Sequence, residues 1–195
     1  MTNTNWSYKR RFDLPERAAK FTEKQGFVAG ILVNGGEDIN PHVKEALFEL
    51  YKKCRDEWIP MFQTDNRYIR EFPRCFDQEL LRERFEADVE DSGKILFMGS
   101  KDTGAVAYAM ITPAHYIASL YVLPEYRRDQ IASSLLEMYI NRFEVPELSV
   151  TPYAVDKTAL GFFERLGFKD EAVTIDQTAV AFFQPRTVDL IWRAK

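Results

Sequence analysis

A chain of 195 residues is long enough to bury a substantial core within one domain. Its 46% apolar and 14% aromatic content places it among globular proteins, and a formal net charge of −4 argues against broad, sequence-independent nucleic-acid binding. Two cysteines, Cys54 and Cys75, lack Cys-x-x-Cys spacing, and two histidines are too few for an obvious zinc set; a reduced compartment and no metal are expected.

From Met1 to Arg11 the chain is polar and basic where a signal peptide needs an unbroken apolar stretch. No segment approaches the roughly 20 apolar residues of a transmembrane helix. The expectation is a soluble cytoplasmic protein without membrane contact. Residues 1–25 show no sustained periodicity and read as an N-terminal extension, its Lys9-Arg10-Arg11 triplet a solvated tail.

The apolar run from Phe27 to Val33, closed by Asn34-Gly35-Gly36, predicts a strand ending in a turn. Asn40-Pro41 supplies an N-cap and first-turn proline for a helix. Val43, Leu47, Leu50, Tyr51, Cys54 and Trp58 follow on one helical stripe. Pro60 and Pro73 bracket an aperiodic, aromatic and arginine-rich segment that reads as a loop or broken helix. A second helix is predicted from Asp77 to about Val89. Two strands, Ile95–Met98 and Ala105–Ile111, flank a turn at Lys101-Asp-Thr-Gly104 and predict an antiparallel hairpin.

A strand from Tyr116 ends at Pro124, and a helix runs from Ile131 to Phe143 with a broad apolar face. Leu148–Thr151 reads as a strand, and Asp156 as the cap of a helix closed by Gly167. Two final strands are expected near 170–176 and 187–193. The order of elements gives an α/β domain with a mixed sheet.

Two segments carry chemistry. After the strand from Tyr116 comes Arg127-Arg128-Asp129-Gln130-Ile131-Ala132, leading into a helix whose N-terminus offers unpaired backbone N–H groups and a positive dipole end, suited to phosphate. Arg127 and Arg128 add charge beside it. Further on, Asp156, Ala159, Phe163, Gly167 and Phe168 fall on a helix with a glycine C-cap.

Together these segments resemble the GNAT N-acetyltransferases. That family carries Gln/Arg-x-x-Gly-x-Gly/Ala at the first place and Asn-x-x-Ala-x-x-x-Tyr-x-x-x-Gly-Phe at the second. Gln130 stands where the family has glycine, Asp156 where it has asparagine, and Phe163 where it has a tyrosine that protonates the departing sulfur. The resemblance spans residues 26–195 and implies a GNAT-like mixed, largely antiparallel sheet flanked by helices.

It also implies acetyl-CoA, or another acyl-CoA, as cofactor. Leu120, Tyr121, Val122 and Leu123 would hold the pantetheine and acyl oxygen; Arg127, Arg128, Asp129, Gln130, Ile131, Ala132 and Ser133 the pyrophosphate; Asp156 and Phe163 would flank it. Glutamates used as bases on the fourth strand are absent, Tyr116 and Ala118 standing in their place. His115, Tyr116 and Tyr153 are the candidates for proton transfer.

The expected activity is acetyl transfer to a primary amine of a small molecule or polypeptide. Two readings stand beside it: an acyl-CoA-binding regulatory or interaction module with weak or lost catalysis, and a scaffold without CoA. In this family the acceptor enters beside the first two helices and the last hairpin. Trp58, Met61, Phe62, Tyr68, Phe72 and Phe76 form an apolar set there, with Arg67, Arg70 and Arg74 to receive an acceptor carboxylate or phosphate or simply to lie in solvent. Ala179–Phe183 is either core or the contact of a homodimer.

Overall fold

The computed structural model describes residues 26–33, 39–62, 78–100, 102–154, 156–170 and 188–194. Strand β1 (Val28–Val33) precedes helices α1 (Pro41–Phe62) and α2 (Gln78–Asp91). Strands β2 (Lys94–Ser100), β3 (Gly104–Ile111) and β4 (Tyr116–Val122) follow as a meander. Helix α3 (Ile131–Phe143) crosses over to β5 (Glu147–Val150), and α4 (Lys157–Arg165), β6 (Lys169–Asp170) and β7 (Leu190–Arg193) complete the order. One sheet results, β1-β2-β3-β4-β5-β7-β6, antiparallel everywhere except at the β4–β5 pair.

Local chemistry explains the element starts. Asn40 caps α1, its Oδ1 accepting from the His42 amide at 2.9 Å, with Pro41 at the first position, where a missing N–H costs nothing. Asp156 caps α4 by accepting from the Ala159 amide at 2.9 Å, and Gly167, at φ 91°, turns the chain out of that helix. Against expectation, α1 runs past Pro60. A proline removes the bond to the carbonyl four residues back and its ring crowds that carbonyl, and here both costs fall in the last turn of a helix whose middle is anchored by burial.

That anchoring is aromatic. Leu47, Tyr51 and Cys54 of α1 and Phe85 and Val89 of α2 are buried. Phe85 meets Phe48 and Tyr51 with ring centroids 5.3 and 5.4 Å apart. Strand β3 is buried at every position from Ala105 to Ile111, which for an alternating strand requires cover on both faces. Helix α1 covers one face and α3 the other. Each buried aliphatic or aromatic side chain there stabilises by about 1.5–3 kcal/mol.

The N-terminal extension, the 34–36 turn, the aromatic and arginine-rich segment from Gln63, Cys75, and most of the expected strand at 170–176 with the Ala179–Phe183 run lie outside the described residues. Among the described residues, no helix is long and apolar enough to cross a membrane.

Candidate functional site

Strand β4 carries one residue more than β3 where they pair. Met110 faces Ser119 and Ile111 faces Ile117, so Ala118 is a bulge. A bulge bends its strand and increases the local twist. On its other edge β4 pairs with β5 only at Tyr116↔Ser149 and Ile117↔Val150, although it continues to Val122. β5 ends at Val150, so β4 has no partner on that edge beyond Ile117, and a cavity of about 1140 Å³ opens there between β4 and the segment that follows β5.

The chain then leaves β4 through a 3-10 turn at Pro124–Tyr126 and enters α3 in an unusual conformation. Arg128 and Gln130 both have positive φ, 72° and 61°. Gln130 is the N-cap residue; its carbonyl accepts from the Ser134 amide at 2.9 Å and hydroxyl at 2.8 Å, while no side chain caps the first turn. Ile131, Ala132 and Ser133 line the cavity. First-turn amides and the positive helix end are thus presented to whatever anion enters.

Gln130 stands where the resembling family has glycine, and its left-handed φ shows why glycine suits that place. A non-glycine residue in this region costs about 1–2 kcal/mol, partly offset by the extra chain entropy glycine loses on folding, about 0.5–1 kcal/mol. Gln130→Gly is therefore expected to raise stability by about 0.5 kcal/mol, read as a rise of about 1–2 °C in Tm. A drop in Tm would mean the glutamine side chain makes a stabilising contact that outweighs its strain.

A second cluster reaches the cavity from α1. Glu57 accepts from the Tyr121 hydroxyl through Oε1 and from Arg127 Nη2 through Oε2 at 2.5 Å. Arg127 Nε donates to the Val122 carbonyl at 2.9 Å, and its guanidinium lies over the Tyr121 ring, 5.4 Å from the centroid. Helix α1, the end of β4 and the loop before α3 are thereby tied at one carboxylate. Ser119 shares a hydrogen bond of 2.9 Å with the buried Tyr108 hydroxyl on the same side of the sheet.

Most of the expected residues meet here. Tyr116, Leu120, Tyr121, Val122, Arg127, Arg128, Gln130, Ile131, Ala132, Ser133, Tyr153, Asp156 and Phe163 all line the cavity. Leu123 is buried behind it, its amide on the Val106 carbonyl, and Asp129 is exposed on the loop; neither lines it. His115 is also away from the cavity wall, its Nδ1 2.7 Å from the Tyr139 hydroxyl on α3. Phe163 sits between Phe162 and Phe168 with centroids 5.1 Å from each and offers only an apolar wall.

Sequence reasoning missed Arg55 and Glu57 of α1 and Arg84 and Asp88 of α2, which also line the cavity. The signal was present: Arg55 and Glu57 flank the stripe of Tyr51, Cys54 and Trp58, where a helix turns from core to cleft. Tyr51 donates to Asp88 Oδ2 at 2.6 Å and accepts from Arg55 Nη2 at 2.7 Å. Burial works against the Arg55 charge, but Tyr51, together with Cys54 and Tyr153, outweighs it and raises the guanidinium pKa above its ordinary value. Among the described residues no His, Cys, Asp and Glu group could hold a metal ion.

Burial pushes the Cys54 thiol up to about 12, so it is no nucleophile at neutral pH. Burial also raises Tyr51 to about 12, opposed by the Arg55 charge and reinforced by the hydrogen bond to Asp88. Tyr121 is raised by burial and then by its bond to Glu57. Groups that hold their proton more tightly folded than unfolded add stability in full below the unfolded pKa and lose it as pH rises through the folded one. The contribution of these groups should thus be level up to about pH 9, and stability should fall from there towards about pH 12. Urea midpoints across that range check this, with a shallower fall expected for Tyr51→Phe; a level profile throughout would contradict it.

The sequence pattern of the acetyltransferase (GNAT) domain matches residues 53–184. The chain belongs to the GNAT acetyltransferase family, whose members carry out acyl transfer. Solved structures share the fold. A PaiA N-acetyltransferase from Thermoplasma acidophilum, in complex with coenzyme A, is 18% identical with a TM-score of 0.53, over 85% of this chain and 99% of that one. An acetyltransferase from Streptococcus agalactiae is 12% identical with a TM-score of 0.55, over 85% and 98%. The ribosomal-protein-S18-alanine N-acetyltransferase from Escherichia coli is 17% identical with a TM-score of 0.50, over 84% and 91%. No curated protein matches the chain.

Proposed function

We propose that the chain is a cytoplasmic N-acetyltransferase that takes acetyl from acetyl-CoA to a primary amine, residues 26–195 forming the catalytic domain behind a 1–25 extension. The observation that carries this reading is the joining, in one cavity, of a strand edge left unpaired past Ala118 and a helix N-terminus without a side-chain cap. Such a site fits the cofactor's two recognition needs. Amides of Ile131, Ala132 and Ser133 suit a pyrophosphate, and the backbone of Leu120–Val122 suits an extended chain of amides. Arg128 adds positive charge beside them, whereas the charge of Arg127 is paired with Glu57.

Bound acetyl-CoA supplies an activated thioester. The protein's part is to bring a neutral amine to that carbonyl, receive the developing oxyanion on a β4 amide, remove a proton from nitrogen and return one to sulfur. Phe163 has no proton to give. Tyr116 and Tyr153 in the cavity wall are the candidates for that transfer, with Tyr121 and Glu57 as a hydrogen-bonded pair beside them.

The apolar surroundings of Phe163 favour a second reading, an acyl-CoA-binding module with weak turnover. Calorimetry with acetyl-CoA, followed by CoA release with a panel of primary amines, separates the two. Saturable micromolar binding with amine-dependent release supports the enzyme; binding without release supports the module. No binding to folded protein removes both.

A further inference from the structure

The C-terminal turns of α1 lie over the gap between β4 and β5. Trp58 meets Tyr153, just beyond β5, edge to face with centroids 5.3 Å apart. Three residues earlier on the same helical face, the Arg55 guanidinium stacks on the Trp58 ring at 4.8 Å and the Tyr51 ring at 5.0 Å. Its Nη2 donates to the Tyr51 hydroxyl, which is itself fixed by Asp88 of the neighbouring helix.

This arginine is held in place by two side chains, Trp58 and Tyr51, the second of them anchored through its hydroxyl on α2. A surface arginine would have to give up rotamer freedom to bind an anion; Arg55 has given it up already. A guanidinium carries five N–H donors, and the bond to Tyr51 uses one. Arg84, one turn before Asp88 on α2, adds a second positive charge in the cavity wall. Glu57, the nearby carboxylate of α1, is taken by Tyr121 and Arg127.

We infer that Arg55, Trp58 and Tyr153 form an acceptor subsite for a small amine of amino-acid type, its carboxylate on Arg55 and its apolar or aromatic body against the two rings. This wall is built by α1 and the segment after β5, separate from the α3 N-terminus assigned to phosphate. The inference rests on the acyl-transfer reading for the amine's fate, while binding of the carboxylate does not require turnover.

The test is calorimetry with N-acetylphenylalanine and its uncharged amide, on protein with and without CoA. The acid should bind at least about 10-fold more tightly than the amide, about 1.4 kcal/mol. Arg55→Gln should abolish that preference, and Arg55→Lys, which keeps the charge and loses the planar fork, should keep part of it. Equal affinity for acid and amide, binding of neither, or an undiminished preference in a folded Arg55→Gln protein each overturns the subsite. Acetyl-CoA titrations of the same preparations separate the two readings. A preference for the acid without cofactor binding supports the subsite and removes the acetyl-CoA reading; cofactor binding with equal affinities overturns the subsite alone.

Discussion

Ala132→Glu should weaken acetyl-CoA binding at least about 100-fold, about 2.7 kcal/mol, while leaving Tm unchanged or slightly higher. Ala132 is the second residue of α3, partly buried in the cavity wall beside the first-turn amides. A glutamate there would set a carboxylate where two phosphates are expected, repelling them and competing for the same N–H donors. The same carboxylate would suit the positive helix end, a gain of about 0.3–1 kcal/mol, and α3 has no acidic residue in its first turn. Function and stability should therefore move in opposite directions, which a merely damaging substitution would not produce. Ala132→Ser, small and uncharged, should bind as the parent does. Affinity of Ala132→Glu within 10-fold of the parent would place the phosphates elsewhere.

How far the sequence carried this site depends on what kind of interaction makes each part. Periodic burial and capping leave local traces, and Asn40, Asp156 and Gly167 sit where the chain predicts, within a residue or two of each helix end. Backbone features also follow from the motif: the strand ending near Pro124 and the helix opening at Ile131 bring the expected first-turn residues into the cavity. Long-range side-chain contacts leave no such trace. Glu57 meets Arg127 across 70 residues of chain, and Tyr51 meets Asp88 across 37. The pairing of α1 with the loop before α3 could not be read from either segment alone. The sequence pointed to Arg127 as a phosphate ligand, and in the structure that side chain is engaged by Glu57 and the Val122 carbonyl. His115 was a candidate for proton transfer, but its position just before β4 directs it to Tyr139 on α3, away from the cavity wall.

The second large effect is expected at Gly99, which does not line the cavity. At this point the β2–β3 register shifts, and Gly99 faces Ala105. A Cβ there would lie 2.2 Å from the Gly104 carbonyl oxygen and 2.9 Å from the Ala105 Cα. Both are backbone atoms of a paired strand, so no rotamer change relieves the clash and the hairpin must open. Gly99→Ala should cost about 3 kcal/mol or more, the upper range of overpacking, out of the roughly 5–15 kcal/mol that hold a domain folded. The loss should reach the cavity, because Val106 of that hairpin accepts the Leu123 amide, where the chain leaves β4 for the loop before α3. Gly104 supplies the control. Its φ of 71° penalises alanine, but a Cβ there meets nothing within 4 Å and alanine loses less chain entropy on folding than glycine, so Gly104→Ala should cost only about 0.5–1 kcal/mol. Urea midpoints of the two variants distinguish a steric need for glycine from a conformational one. Equal losses at both positions would mean that the β2–β3 backbones can part at Gly99 without loosening the end of β4.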